Sequence, residues 1–177
     1  MAKSDEHKNQ ASMQTDFEAL YDDLRRLARS QLSRNKTITQ LNATSLVHES
    51  YLRLLNAGQL RTDERGEFMA YMAQVMRSVI VDFVRARSAE KRGGNNEHIR
   101  LDTDMSEKLP TPEAEILHVH EALEVLSASD PRLGSVVEMH YFGGMSESEI
   151  AAVLGVSDRT VRRDWEKARL LLAVALR

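Results

Sequence analysis

The chain has 177 residues, a net charge of −3 and no cysteine, which allows one ordinary domain or two small ones and excludes a disulfide framework or a thiolate zinc site. Apolar residues make up 42 % but aromatics only 5 %, with Leu, Ala, Glu and Arg dominant, a balance that favours helices over strands. No apolar run approaches the roughly 20 residues that span a bilayer, and residues 1–14 are polar without the apolar stretch of a signal peptide, so a cytoplasmic protein with a disordered N-terminus is expected.

Phe17, Leu20, Tyr21, Leu24, Leu27, Ala28 and Leu32 recur at helical spacing and predict an amphipathic helix over 15–33. After a polar stretch, Thr44 or Ser45 is the expected cap of a second helix with Leu46, Val47, Tyr51, Leu54 and Leu55 on its apolar face, ending at Asn56-Ala57-Gly58. Phe68, Tyr71, Met72, Val75, Met76, Val79, Ile80, Phe83 and Val84 predict a very regular third helix that runs into the basic stretch Arg85–Arg92 and stops at Gly93-Gly94. Residues 15–92 thus read as one compact helical unit. Residues 93–112, with Gly-Gly-Asn-Asn, scattered acids, Pro110 and Pro112, read as an acidic flexible linker.

The second unit spans 113–177. Ile116, Val119, Leu123 and Leu126 line its first helix; Asp130-Pro131 opens the next, which carries Leu133, Val136, Val137, His140 and Tyr141 and ends at Gly143-Gly144. Ser146 to Glu149 resembles a capping box for a third helix, Gly155 closes it, and Ser157 caps a fourth that runs to the C-terminus. The expected fold is all-α: two small helical domains joined by a linker, the second containing a helix-turn-helix.

Basic residues concentrate at Arg77–Arg92 and Arg159–Arg169, flanking an acidic stretch from Glu97 to Glu121, a distribution that can bind nucleic acid locally despite the negative sum. The sharpest local pattern is Ser146–Trp165: Ile150, Ala151 and Leu154 on one short helix, Gly155 and Val156 in a turn, Val161 and Trp165 on the next. Small Ala151 allows close approach and Gly155 the sharp turn, as a helix-turn-helix needs. A recognition helix starting at Ser157 would offer Asp158, Arg159, Thr160, Arg162, Arg163, Glu166 and Lys167 to base edges or phosphates. Arg85, Arg87, Lys91 and Arg92 read two ways, as cations favoured by a helix C-terminus or as phosphate contacts, and both readings stay open.

Enzyme chemistry finds no constellation. His48-Glu49 lacks the second histidine of a metalloprotease helix, His118 and His120 face different ways, and there is no phosphate loop or nucleophile elbow. Neither catalysis nor a metal or cofactor is expected.

The segments Tyr21-Asp-Asp-Leu-Arg-Arg-Leu-Ala28, Leu46-Val-His-Glu-Ser-Tyr-Leu-Arg-Leu-Leu55, Val81-Asp-Phe-Val-Arg-Ala-Arg87, Gly143-Gly-Met-Ser-Glu-Ser-Glu-Ile-Ala151 and Leu154-Gly-Val-Ser-Asp-Arg-Thr-Val-Arg-Arg-Asp-Trp165, in this order, resemble the extracytoplasmic-function class of bacterial RNA polymerase sigma factors. The resemblance covers about 15–175. It implies that residues 15–92 bind the clamp helices of the polymerase largest subunit, with Leu46, His48, Glu49 and Arg53 at the contact. The loop Asn56–Glu67 would hold a flipped base of the −10 promoter element, so Asn56, Arg61 and Arg65 join Arg77, Arg85, Arg87, Lys91 and Arg92 as expected DNA contacts. The second domain would set Ser157, Asp158, Arg159, Thr160, Arg162, Arg163 and Lys167 against the −35 element, while the linker threads toward the RNA exit path; the polymerase flap is a further expected contact.

Where the resemblance leads one to expect acidic residues, the chain has Asn42-Ala43-Thr44-Ser45. A phosphate on Thr44, or Ser45 as second choice, would restore the negative charge, and the pattern around Thr44 resembles a subgroup associated with Ser/Thr kinases. A kinase or an anti-sigma protein is therefore an expected partner. The competing reading is a stand-alone helix-turn-helix regulator of duplex DNA. A free chain is expected to fold into a compact, self-masked form, because an open Leu46–Leu55 face invites aggregation.

Overall fold

Helix start and stop signals set the order of elements in the computed structural model, which describes residues 20–34, 40–57, 65–93 and 112–177. Helix α1 covers residues 20–34. It is followed by α2 (Ala43–Asn56), α3 (Arg65–Gly93), α4 (Pro112–Ser129), α5 (Pro131–Val137), a π-helical turn (Glu138–Phe142), α6 (Glu147–Leu154) and α7 (Asp158–Ala175). No strand occurs among the described residues, so the fold is all-α. The N-terminal stretch 1–14, Arg61 and nearly all of the expected linker lie outside the described residues.

The caps follow the sequence signals with one correction. Asn42, not Thr44 or Ser45, caps α2: its Oδ1 accepts a hydrogen bond from the Ser45 backbone N–H at 2.9 Å. Thr44 and Ser45 therefore belong to the first helical turn. Asp130 caps α5 with Pro131 at the first helical position, and Ser146 with Glu149 forms the expected capping box on α6. Arg65–Glu67, expected in a loop, form the first turn of α3.

Three inward faces pack the first half. Leu24, Leu27 and Ala28 of α1, Leu46, Val47 and Leu54 of α2, and Met72, Met76, Val79, Ile80 and Val84 of α3 make one buried cluster, each large side chain adding about 1.5–3 kcal/mol. The inward stripe of α2 is narrow, with Ser50 fully buried between Leu46 and Leu54. Tyr51 and Leu55, expected on that stripe, are turned outward instead. The second half packs Val136, Met139, Met145, Ile150, Ala151 and Val161 in one cluster and Leu123, Leu126, Leu133, Val137 and Ala168 in another.

The halves touch. Helix α3 meets α4, the π turn and α6; Ile116, Leu117 and Phe142 pack against the first cluster, and Ala70 against the second. The π turn closes with Gly143 N–H donating to the Glu138 carbonyl at 2.8 Å. Its extra residue leaves Met139 in the core of its own half and turns Phe142 toward both halves. No helix among the described residues is long and apolar enough to cross a membrane.

Candidate nucleic-acid interface

Gly155 adopts φ +64°, the left-handed conformation that ends α6, and the Val156 N–H reaches back to the Ala151 carbonyl at 3.1 Å. Ser157 then caps α7 by accepting from the Thr160 N–H, and its hydroxyl also pairs with that of Thr160 at 3.0 Å. Val161, Asp164 and Ala168 form the inward stripe of α7. Asp164 is held by Arg132 of α5 at 2.7 Å. Trp165 meets the His140 ring edge-on at 4.4 Å, while His140 Nδ1 lies 3.0 Å from the Met145 carbonyl. The two helices are thus fixed in a helix-turn-helix.

That packing leaves Ser157, Asp158, Arg159, Arg162, Arg163, Glu166 and Lys167 exposed on one continuous face, with Thr160 half-buried at its edge. The face is not uniformly open. Arg162 grips Glu147 of α6 with two guanidinium nitrogens, at 2.7 and 3.1 Å to the same carboxylate oxygen. That hydrogen bond holds the Glu147 carboxyl below its usual range. Lys167 lies 3.3 Å from Asp130, whose carboxyl is lowered first by the Leu133 N–H and then by this lysine. Arg159 makes no ion pair among the described residues.

In the first half the expected −10 set divides. Asn56 is exposed at the end of α2 and Arg85 is exposed on α3. Arg65 pairs with buried Asp23 of α1. Arg87 lies 3.8 Å from Glu113 of α4, and Lys91 and Arg92 lie in the last turn of α3. Arg77 is the exception that matters. Its side chain is 8 % exposed and binds Glu138 at 2.6 Å and Glu124 at 3.0 Å, with His120 Nδ1 against the same guanidinium. In this conformation it faces the second half rather than open solvent.

The expected polymerase contacts divide too. Leu46 is fully buried, so it serves the core rather than an outer surface. His48 and Glu49 are exposed. Arg53 bridges Glu49 and Asp82, the latter at 2.7 Å, and ties α2 to α3. Sequence reasoning missed the outward apolar stripe Tyr51, Leu52 and Leu55, which are 42 %, 54 % and 47 % exposed. The signal was present: Leu52 stands four residues after exposed His48, on the same face. Glu138 and Asp164, buried acids that meet arginines across elements, were also missed because their partners are remote in sequence. Among the described residues no group of three His, Asp or Glu side chains is arranged to hold a metal ion.

The described residues are thus all-helical, with a helix-turn-helix whose second helix exposes Arg159, Arg162, Arg163 and Lys167. The family model described as ECF sigma factor matches residues 3–177, and the chain belongs to that family. Among curated proteins, the "Probable RNA polymerase sigma factor RfaY" of Xanthomonas campestris pv. campestris is 26 % identical over 105 residues, covering 58 % of this chain and 26 % of that protein. The chain thus matches only about a quarter of that relative's length. No solved structure is matched.

Proposed function

We propose that this chain is a transcription initiation factor that binds core RNA polymerase and directs it to promoters through −10 and −35 elements. The observation that carries the reading is the helix-turn-helix of α6 and α7, whose exposed face from Ser157 to Lys167 presents Arg159, Arg162 and Arg163 at a helix N-terminal half. Membership of the ECF sigma factor family points the same way. The outward stripe Tyr51, Leu52 and Leu55, flanked by His48 and Glu49, is the surface we assign to polymerase. Such a half-exposed apolar stripe with a polar rim suits a partner interface.

Thr44 and Ser45 are exposed in the first turn of α2, which holds no acidic residue. Phosphorylation of Thr44 by a Ser/Thr kinase would add about −1.5 to −2 charges at that helix N-terminus, where negative charge is stabilised. We assign it the role of strengthening polymerase binding. The test is run-off transcription with core polymerase on fragmented genomic DNA. Chain-dependent transcripts from defined start sites are expected, with more from Thr44→Glu than from Thr44→Ala. Tight binding of a duplex operator by the chain alone, with no transcript, would instead make it a stand-alone regulator. Equal transcription by wild type and a Thr44→Ala, Ser45→Ala chain in cells would remove the phosphorylation step.

A further inference from the structure

We propose that the groove between α1, α3 and α6 is a binding site for a nucleoside phosphate. The groove holds about 760 Å³, inside the range of roughly 300–1,000 Å³ where small-molecule sites fall. Its walls differ in chemistry. One is apolar: Leu27 of α1 and Met145 are 4 % and 7 % exposed, and Met69, Ala152 and Val153 continue the surface. The other carries two guanidinium groups. Arg26 of α1 and Arg65 of α3 each bind a different oxygen of the buried Asp23 carboxylate through a single nitrogen, while their own side chains stay 72 % and 66 % exposed. At the rim, Gly143 and Gly144 present bare backbone.

This pair of walls selects the ligand. One carboxylate offsets only one of the two arginine charges. Glu149 also lines the groove, but it is committed to the cap of α6, accepting from the Ser146 N–H at 2.8 Å and the Ser146 hydroxyl at 2.7 Å. Among the described residues it forms no ion pair with either arginine. A guanidinium that gives one nitrogen to an acid keeps donors for a second acceptor, and two of them anchored on one carboxylate make a fork that fits a phosphate. Methionine thioethers and aliphatic side chains in turn pack well against a flat ring. The base then lies on Leu27, Met69 and Met145, and the phosphate meets Arg26 and Arg65. Inorganic phosphate would leave the apolar wall uncovered, and a purely apolar ligand would leave the arginines unmatched.

The site stands whether or not the chain reads promoters, and titration calorimetry of the full chain tests it. The probes are adenosine and guanosine triphosphates, with adenosine and inorganic phosphate for comparison. One nucleotide is expected to bind per chain, more tightly than adenosine or inorganic phosphate by roughly tenfold or more. Arg26→Ala, which leaves Asp23 its Arg65 partner, is expected to weaken nucleotide binding by roughly tenfold or more. Ala152→Trp fills the apolar wall from an exposed position on α6 without touching the arginines, and the same loss is expected. Circular dichroism without nucleotide checks that both variants keep their helix content; if either does not, Arg26→Gln or Ala152→Leu takes its place. Several outcomes would overturn the site: no nucleotide binding up to millimolar concentrations, equal affinity for adenosine or for inorganic phosphate, or unchanged affinity in either groove variant. Affinity lost in Arg159→Ala but kept in Arg26→Ala would move the phosphate to α7 and overturn it as well.

Discussion

His120 and Gly134 show how single side chains set local behaviour. Arginine only donates hydrogen bonds, so the contact between Arg77 and His120 Nδ1 requires a neutral imidazole with its proton on Nε2. Burial first, and the Arg77 charge second, hold His120 below its ordinary value of 6.5. A depressed histidine means that the unfolded chain takes up the proton first. Its stabilisation is therefore full above about pH 6.5 and is lost as pH falls from there through the folded value. Burial pushes Glu138 above 4.5 against the pull of Arg77, which works in the opposite sense over the acid range. The clean comparison is between chains: His120→Gln should lose less melting temperature than wild type on acidification from neutrality, and an identical loss would refute the assignment. At Gly134 an added Cβ would sit 2.9 Å from the Ser127 backbone Cα. Gly134→Ala is expected to cost about 1–3 kcal/mol in urea unfolding, because two backbones rather than a flexible side-chain end would have to part. The glycine was visible in the sequence, but its closeness to Ser127 was not, since it depends on how α4 crosses α5.

Elements were legible where local chemistry decides them. Asp130-Pro131, the Ser146–Glu149 box, Gly155 and Ser157 all act as read, because caps and left-handed turns are settled within four or five residues. The start of α2 was missed by two or three residues because Asn42 offered an equally good side-chain oxygen just upstream. Its outward stripe was misassigned because apolar side chains at Tyr51 and Leu55 look the same to a periodicity whether they meet a core or a partner. The π turn, closed by the Gly143 N–H on the Glu138 carbonyl, does not show in the periodicity of the sequence. Two predictions belong here. Ser157→Ala removes the cap of α7 and should lower stability by about 1 kcal/mol in thermal melts. Glu147→Gln frees Arg162 and should tighten holoenzyme binding to duplex lacking a promoter, with a steeper salt dependence; unchanged affinity would mean that Arg162 does not face the backbone.

For the whole molecule, the sequence divided the chain into two helical halves but could not tell how they meet. The contacts that join them, Arg77 with Glu138, Gln31 with Phe142 and Ala70 with the second core, link residues dozens of positions apart. Charged and amide side chains at such positions read as surface until their partners are known. Phe142 couples the halves most directly, because it packs against both. Wild type should therefore unfold in one calorimetric transition, whereas Phe142→Ala, at a cost of about 3–5 kcal/mol, should separate the halves into two transitions. A single unshifted peak in that variant would mean that the halves are joined elsewhere.

If the chain reads promoters as proposed above, the grip of Arg162 on Glu147 would bear on how they are found. A genome offers at least a million competing stretches of duplex, all carrying the same phosphates. An arginine already satisfied by a carboxylate gains little by trading it for a phosphate, so random DNA is poorly rewarded. Only a site that supplies further contacts along α7 makes the exchange worthwhile. On the promoter-binding function proposed above, the glutamate would serve as a built-in decoy, lowering the background of futile stops during the search.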